Sequence, residues 1–168
     1  PSDTEALDAL EAHYEGLEQN EDLARILRSK LDACETDEAR VASLMRLGQL
    51  ALSLGDPDGA IGHYRDVLDI DPAMAKPKEH LVELYRQAED WEELVSTLRM
   101  QLDQSSDSDH QIEILSEVAE IQERKIQSVD DAIETFREIM ARSSANVYAA
   151  TSLELLLPTV EDWDGMLE

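Results

Sequence analysis

Residues 36–72 read TDEARVASLMRLGQLALSLGDPDGAIGHYRDVLDIDP, and this stretch decides the fold. Apolar side chains recur at Leu44, Leu47, Leu50, Ala51 and Leu54, then at Ala60, Ile61, Tyr64, Val67 and Leu68. Both runs keep the three-and-four spacing of a helix that buries one face. Thr36-Asp37 opens the first run, and Gly55 stops it as a residue that tolerates left-handed backbone. Asp56-Pro57 opens the second, with a capping carboxylate followed by a proline at the first helical position. The stretch is therefore a pair of antiparallel helices, closed by Asp71-Pro72.

The pattern repeats along the chain. A shift of 72 residues lays Asp58-Gly59-Ala60-Ile61 on Asp130-Asp131-Ala132-Ile133, and Glu89-Asp90-Trp91 on Glu161-Asp162-Trp163. A shift of 71 lays Leu10 on Leu81, Tyr14 on Tyr85, and Leu27-Arg28 on Leu98-Arg99. A fixed period of this kind marks stacked helix pairs rather than one globular core. We expect ten helices in five hairpins, at about residues 3–33, 36–70, 73–104, 108–142 and 145–168, forming a single solenoid over residues 1–168. Pro158 is expected to end the ninth helix, and Glu161-Asp162-Trp163 to open a tenth that is cut off at Glu168. The loop Ser105–Asp109 is the best candidate hinge, but a longer turn within the solenoid is the preferred reading of it.

Composition narrows the function classes. Against 39 Asp and Glu stand 14 Lys and Arg, a net charge of −25. Such a chain repels phosphate backbones and anionic membranes, which argues against a nucleic-acid partner. The acids are spread over every segment, so solubility or adaptation to salt accounts for them at least as well as a basic partner does. One cysteine, Cys34, excludes an internal disulfide framework. No apolar run is long enough for membrane insertion. The chain lacks an initial Met and stops inside a helical pattern, so we expect a piece of a longer, cytoplasmic repeat protein.

The hairpins resemble the tetratricopeptide repeat, a family of 34-residue helix–turn–helix units. The second hairpin carries the resemblance in Leu44, Leu47, Gly48 and Ala51, then Ala60, Tyr64 and Val67, with Pro72 closing the unit. The fourth carries it less tightly in Ala119, Ala132 and Phe136, with Ser144 in the place of the proline and one extra residue in its turn. The odd hairpins depart: Leu23, Leu94 and Met166 stand where the second helix should have a small residue, which demands a wider helix pair. The resemblance implies an all-α, right-handed superhelix in which the first helix of each hairpin lines a concave groove. Projected onto this sequence, the groove takes Met45, Gln49 and Leu52, then Lys76, Glu79, Glu83 and Arg86, then Glu120, Glu123 and Arg124, and last Tyr148, Thr151 and Leu155. Arg86 and Tyr148 would be the anchors. Met45 and Gln49 replace the Lys and Asn with which part of the family clamps a C-terminal carboxylate, so that activity is not expected.

Catalytic chemistry finds no pattern to stand on. His13, His63, His80 and His110 include no pair at the spacing of a helical zinc site. His13 falls where Leu84 recurs and reads as a packing side chain, whereas His80 reads as exposed. The acidic runs at Asp56-Pro57-Asp58 and Asp103–Asp109 lack the ligand pattern of a calcium loop, and read as a helix start and a solvated loop. The expectation is thus a scaffold or adaptor without enzymatic activity or cofactor. Its partner would be a protein or peptide, extended or helical and basic, held in an acidic groove. The alternative is a spacer that self-associates through its C-terminal end at Trp163 and Leu167.

Overall fold

The computed structural model describes residues 2–164, with side-chain surroundings for residues 5–158. Among these, nine α-helices and no strand are formed. They divide into two compact units, one ending at Leu84 and one beginning at Tyr85.

The first unit holds α1 (Ser2–Gly16), α2 (Asn20–Asp32), α3 (Asp37–Ser53), α4 (Pro57–Ile70) and the start of α5 (Ala75–Ala88). The starts of α3 and α4 follow from their caps. Thr36 Oγ1 accepts from the Ala39 N–H at 3.3 Å, and Asp56 Oδ1 accepts from the Gly59 N–H at 2.9 Å. Tyr64, Ala60 and Val67 on α4 are completely buried, and Leu44 and Leu47 on α3 nearly so. The α2–α3 junction is apolar, with Leu23, Ala24 and Leu27 against Leu47 and Leu50, flanked by Tyr14 and Leu31. The ring of Tyr64 stacks on His80 of α5, 4.8 Å between centroids and 16° from parallel. His80 is thus half-buried rather than exposed, because Tyr64 offers it a flat partner. His13 is the converse: it lies exposed, edge-on to Tyr14 at 5.6 Å, since it is Tyr14 that α1 turns toward the core.

The second unit holds the end of α5, then α6 (Trp91–Leu102), α7 (Ser108–Ile121), α8 (Val129–Arg142) and α9 (Val147–Asp164). Its core is built on Leu94, Leu115, Val118, Ala119, Ala132, Phe136 and Ile139, each fully buried. The acidic run before α7 is a helix start, for Asp107 Oδ1 accepts from the N–H groups of Asp109 and His110.

Every turn inside a hairpin rests on one left-handed residue: Glu18 (φ 54), Gly55 (φ 75), Glu89 (φ 56) and Gln127 (φ 62). In the first three the next N–H reaches back five residues, Gln19 to Tyr14, Asp56 to Ala51 and Asp90 to Tyr85, at 2.9–3.0 Å. This bond closes a helix C-terminus onto its last free carbonyls. In the fourth turn the bond runs from Ser128 to Gln122, six residues back. The added residue sits in a π-helical turn, Gln122–Ile126, that extends α7. The extra residue of the fourth repeat is therefore absorbed by widening one helical turn rather than by lengthening the loop.

Pro158 does not end α9, which continues to Asp164. Proline removes one N–H from the helical ladder and crowds the preceding turn, which more often ends a helix than not. Here the helix-favouring run Leu153–Leu157 precedes it, and the residues expected to open a tenth helix continue the ninth. Met166 and Leu167 lie outside the described residues, as does the side chain of Trp163.

Candidate functional site

The first unit contains a cleft of about 680 Å³ bounded by α1, the end of α2 and the start of α3. Its origin lies in the weak apolar attachment of α1. Leu10 of α1 and Leu17 just past its end are 40% and 53% exposed, and the one buried α1 side chain among the described residues is a carboxylate, Glu11. Glu11 accepts from Lys30 Nζ of α2 at 2.5 Å and pairs also with Arg46 of α3. Lys30 Nζ reaches Asp8 at 2.5 Å, and Arg46 Nη2 reaches Glu15 at 2.9 Å. Ion pairs thus hold α1 across the cleft from α3. The cleft has apolar walls at Leu7, Leu27, Ala33, Ala39 and Ala42, and Cys34 and Ser43 lie beside them. The Cys34 thiol donates to the Lys30 carbonyl at 3.1 Å.

The repeat pattern does not project these residues onto its groove. Ala39, Ala42, Ser43 and Arg46 form one stripe of α3, and Met45, Gln49 and Leu52 another about 100° around the helix. Leu23, which stands in the place of a small residue, lies in the α2–α3 apolar junction and not in the wall of the cleft. Nothing in the sequence singles out Glu11 as the group that bridges it.

Of the projected residues, Met45 is half-buried, and Gln49, Lys76, Glu79 and Glu83 are exposed in the first unit. In the second unit Arg86 pairs with Glu117 of α7 at 2.5 Å, and Glu120 with Arg124 at 2.5 Å. Tyr148 lies 41% exposed with its ring edge-on to Phe136, 5.5 Å between centroids. Burial pushes its hydroxyl above the usual phenol range, and the nearby carboxylates of Glu120 and Glu123 add to this. Glu120, Glu123 and Arg124 are thus near enough to Tyr148 to act on its ionisation. Among the described residues no group of three His, Cys, Asp or Glu converges as a metal site, and no helix is long and apolar enough to cross a membrane.

Residues 43–78 and 79–112 each match the family model described as Tetratricopeptide repeat. The chain is similar in structure to the MamA protein, at 16% identity, covering 91% of this chain and 80% of that one with a TM-score of 0.54. A second MamA crystal structure gives 15% identity, 90% and 85% coverage and a TM-score of 0.52. At such identities the likeness is one of fold. No curated protein matches the sequence.

Proposed function

We infer that this chain, a tetratricopeptide-repeat protein, is a non-enzymatic adaptor that binds an extended or helical, basic segment of another protein. Repeats of this family are in general protein–protein interaction modules, which supports the class of partner. The observation that carries the basic character is the surplus of carboxylate on α7, where Asp109, Glu113, Glu117 and Glu120 stand with no Lys or Arg in the same helix. On α5 the exposed Glu79 and Glu83 are matched by the exposed Lys76 and Arg86, whereas Glu120 and Glu123 add to the rise of the Tyr148 hydroxyl pKa. The second unit's cations Arg86 and Arg124 are already paired with Glu117 and Glu120. Met45, Gln49 and Lys76 in the first unit, and Tyr148 in the second, would supply contact area. Acidic charge then steers a cationic segment, and its effect falls as salt screens it.

Titrating a library of basic peptides at low and at high salt tests this reading. Affinity should fall as salt rises, and fall further on changing Tyr148 to Ala. Binding indifferent to salt would remove the electrostatic part.

A second reading is self-association without a dedicated ligand. It rests on α9, where Val147 and Leu155 are 76% and 70% exposed. Sedimentation over a range of concentrations, with Leu155→Glu as the control, separates the two.

A further inference from the structure

We propose that the cleft between α1, α2 and α3 seats an aliphatic side chain of the partner segment, with a Lys or Arg beside that anchor in the partner's sequence. This rests on the reading of the chain as a protein-binding module, and it places the anchor in the cleft rather than on the stripe of Met45 and Gln49. A volume of about 680 Å³ is ample for one branched side chain together with the backbone that bears it. Ala39 and Ala42, both exposed on the α3 wall, leave that space open, and Leu7 and Leu27 give it an apolar lining.

Charge selects the neighbour. Both cations of the cleft are committed, Lys30 to Asp8 and Glu11, and Arg46 to Glu11 and Glu15. Glu35 also lines the cleft, is exposed, and forms no ion pair among the described residues. An acidic segment would meet Glu35, Asp8 and Glu11, with no uncommitted cation among the described residues of the cleft to receive it. A Lys or Arg adjoining the anchor meets Glu35 instead, a contact that favours basic over acidic segments.

Cys34 is the chain's one cysteine and lies half-buried in this cleft, so its thiol reports occupancy without any engineered label. The experiment titrates the whole chain with short synthetic peptides bearing a central Leu flanked by Lys. Two control peptides replace the Leu by Ser or the Lys residues by Glu. Binding is read by fluorescence anisotropy, and cleft occupancy by the rate at which a chromogenic disulfide reagent modifies Cys34. Saturating Leu–Lys peptide should slow that reaction by about tenfold, and both controls should bind about tenfold or more weakly. Ala42→Phe, which fills the cleft from an exposed position, should weaken binding by a similar factor. Glu35→Lys, on an exposed side chain, should erase the preference for Lys over Glu and keeps the test decisive if Ala42→Phe misfolds. A peptide that binds without slowing Cys34, and binds the Glu35→Lys chain equally well, overturns the cleft while leaving the protein-binding reading in place. If no basic peptide binds at any salt concentration, both fall.

Discussion

Gly48 and Tyr64 pack so closely that a Cβ placed on Gly48 would lie 2.6 Å from Tyr64 Cε1 and 2.8 Å from Cζ. The ring cannot retreat freely, because it is completely buried and stacked on His80. Gly48→Ala should therefore destabilise the first unit by about 1–3 kcal/mol, the usual cost of overpacking. Tyr64→Phe should cost little or be neutral, since the buried hydroxyl has no hydrogen-bond partner to lose. Urea unfolding monitored by circular dichroism ranks the two. A harmless Gly48→Ala would mean that the helices are not in close contact there.

The left-handed residues of the hairpin turns make a second case. Only one of the four is glycine, Gly55, whereas Glu18, Glu89 and Gln127 adopt the same conformation against their steric preference. Glu89→Gly should stabilise by about 1 kcal/mol, because glycine meets no Cβ clash at positive φ. Glu134→Gly, at an exposed position inside α8, should instead destabilise by about the same amount. Thermal melts of the two variants should move in opposite directions. A parallel loss of stability would rule out strain at position 89.

The same turns show how far the sequence reaches. Gly55 announces its turn because only its type is at home at positive φ; the glutamates announce nothing, and their turns are legible only through the 71-residue register with each other. The helix pairs and their buried faces follow from spacing, as Leu44, Leu47, Ala60 and Tyr64 illustrate. Pro158 misleads because proline's local preference is weighed against the helix that carries it. The cleft is least legible. It depends on Glu11 meeting Lys30 and Arg46, 19 and 35 residues away in sequence, and no periodicity encodes such a meeting.

Lys78 occupies the register of Leu7, Leu44 and Leu115, three residues ahead of the matched core positions. It is completely buried, and its ammonium nitrogen has no hydrogen-bond partner. Burial holds its pKa below the ordinary 10.5, with Asp71 working in the other direction. Over the interval between the folded value and 10.5 the unfolded chain binds more protons, so stability should rise with pH across that interval and level off above it. Lys78→Met should stabilise at neutral pH by about 1–3 kcal/mol and should remove this alkaline rise. Chemical denaturation at neutral and alkaline pH checks both. A destabilised Lys78→Met would indicate that the amine is satisfied after all.

The expected alternation of tight and wide hairpins would give opposite tolerances at matched sites. Ala60 and Ala132 are completely buried, and so is Leu94 at the corresponding place in an odd hairpin. Ala60→Leu and Ala132→Leu should each cost about 1–3 kcal/mol through overpacking. Leu94→Ala should cost about 2–5 kcal/mol by opening a cavity. Equal tolerance of leucine and alanine at positions 60 and 94 in denaturation midpoints would contradict the alternation.

The π-helical turn of the fourth hairpin is tied down by a polar chain in the core. Thr135, completely buried on α8, donates to Gln122 Oε1 at 2.6 Å and accepts from Arg99 Nη2 of α6 at 2.9 Å. Arg99 also reaches Glu138 at 3.2 Å. Thr135→Val keeps the shape of the side chain but strands the buried Gln122 carbonyl oxygen and takes one acceptor from the part-exposed Arg99. The cost should be about 1–3 kcal/mol, that of a buried polar group left unsatisfied. The loss should be local as well as global, because Gln122 opens the widened turn. Amide hydrogen exchange should therefore quicken over residues 122–128 in Thr135→Val more than across α6. Uniform exchange changes along the second unit would show that the network stabilises the fold without pinning the turn.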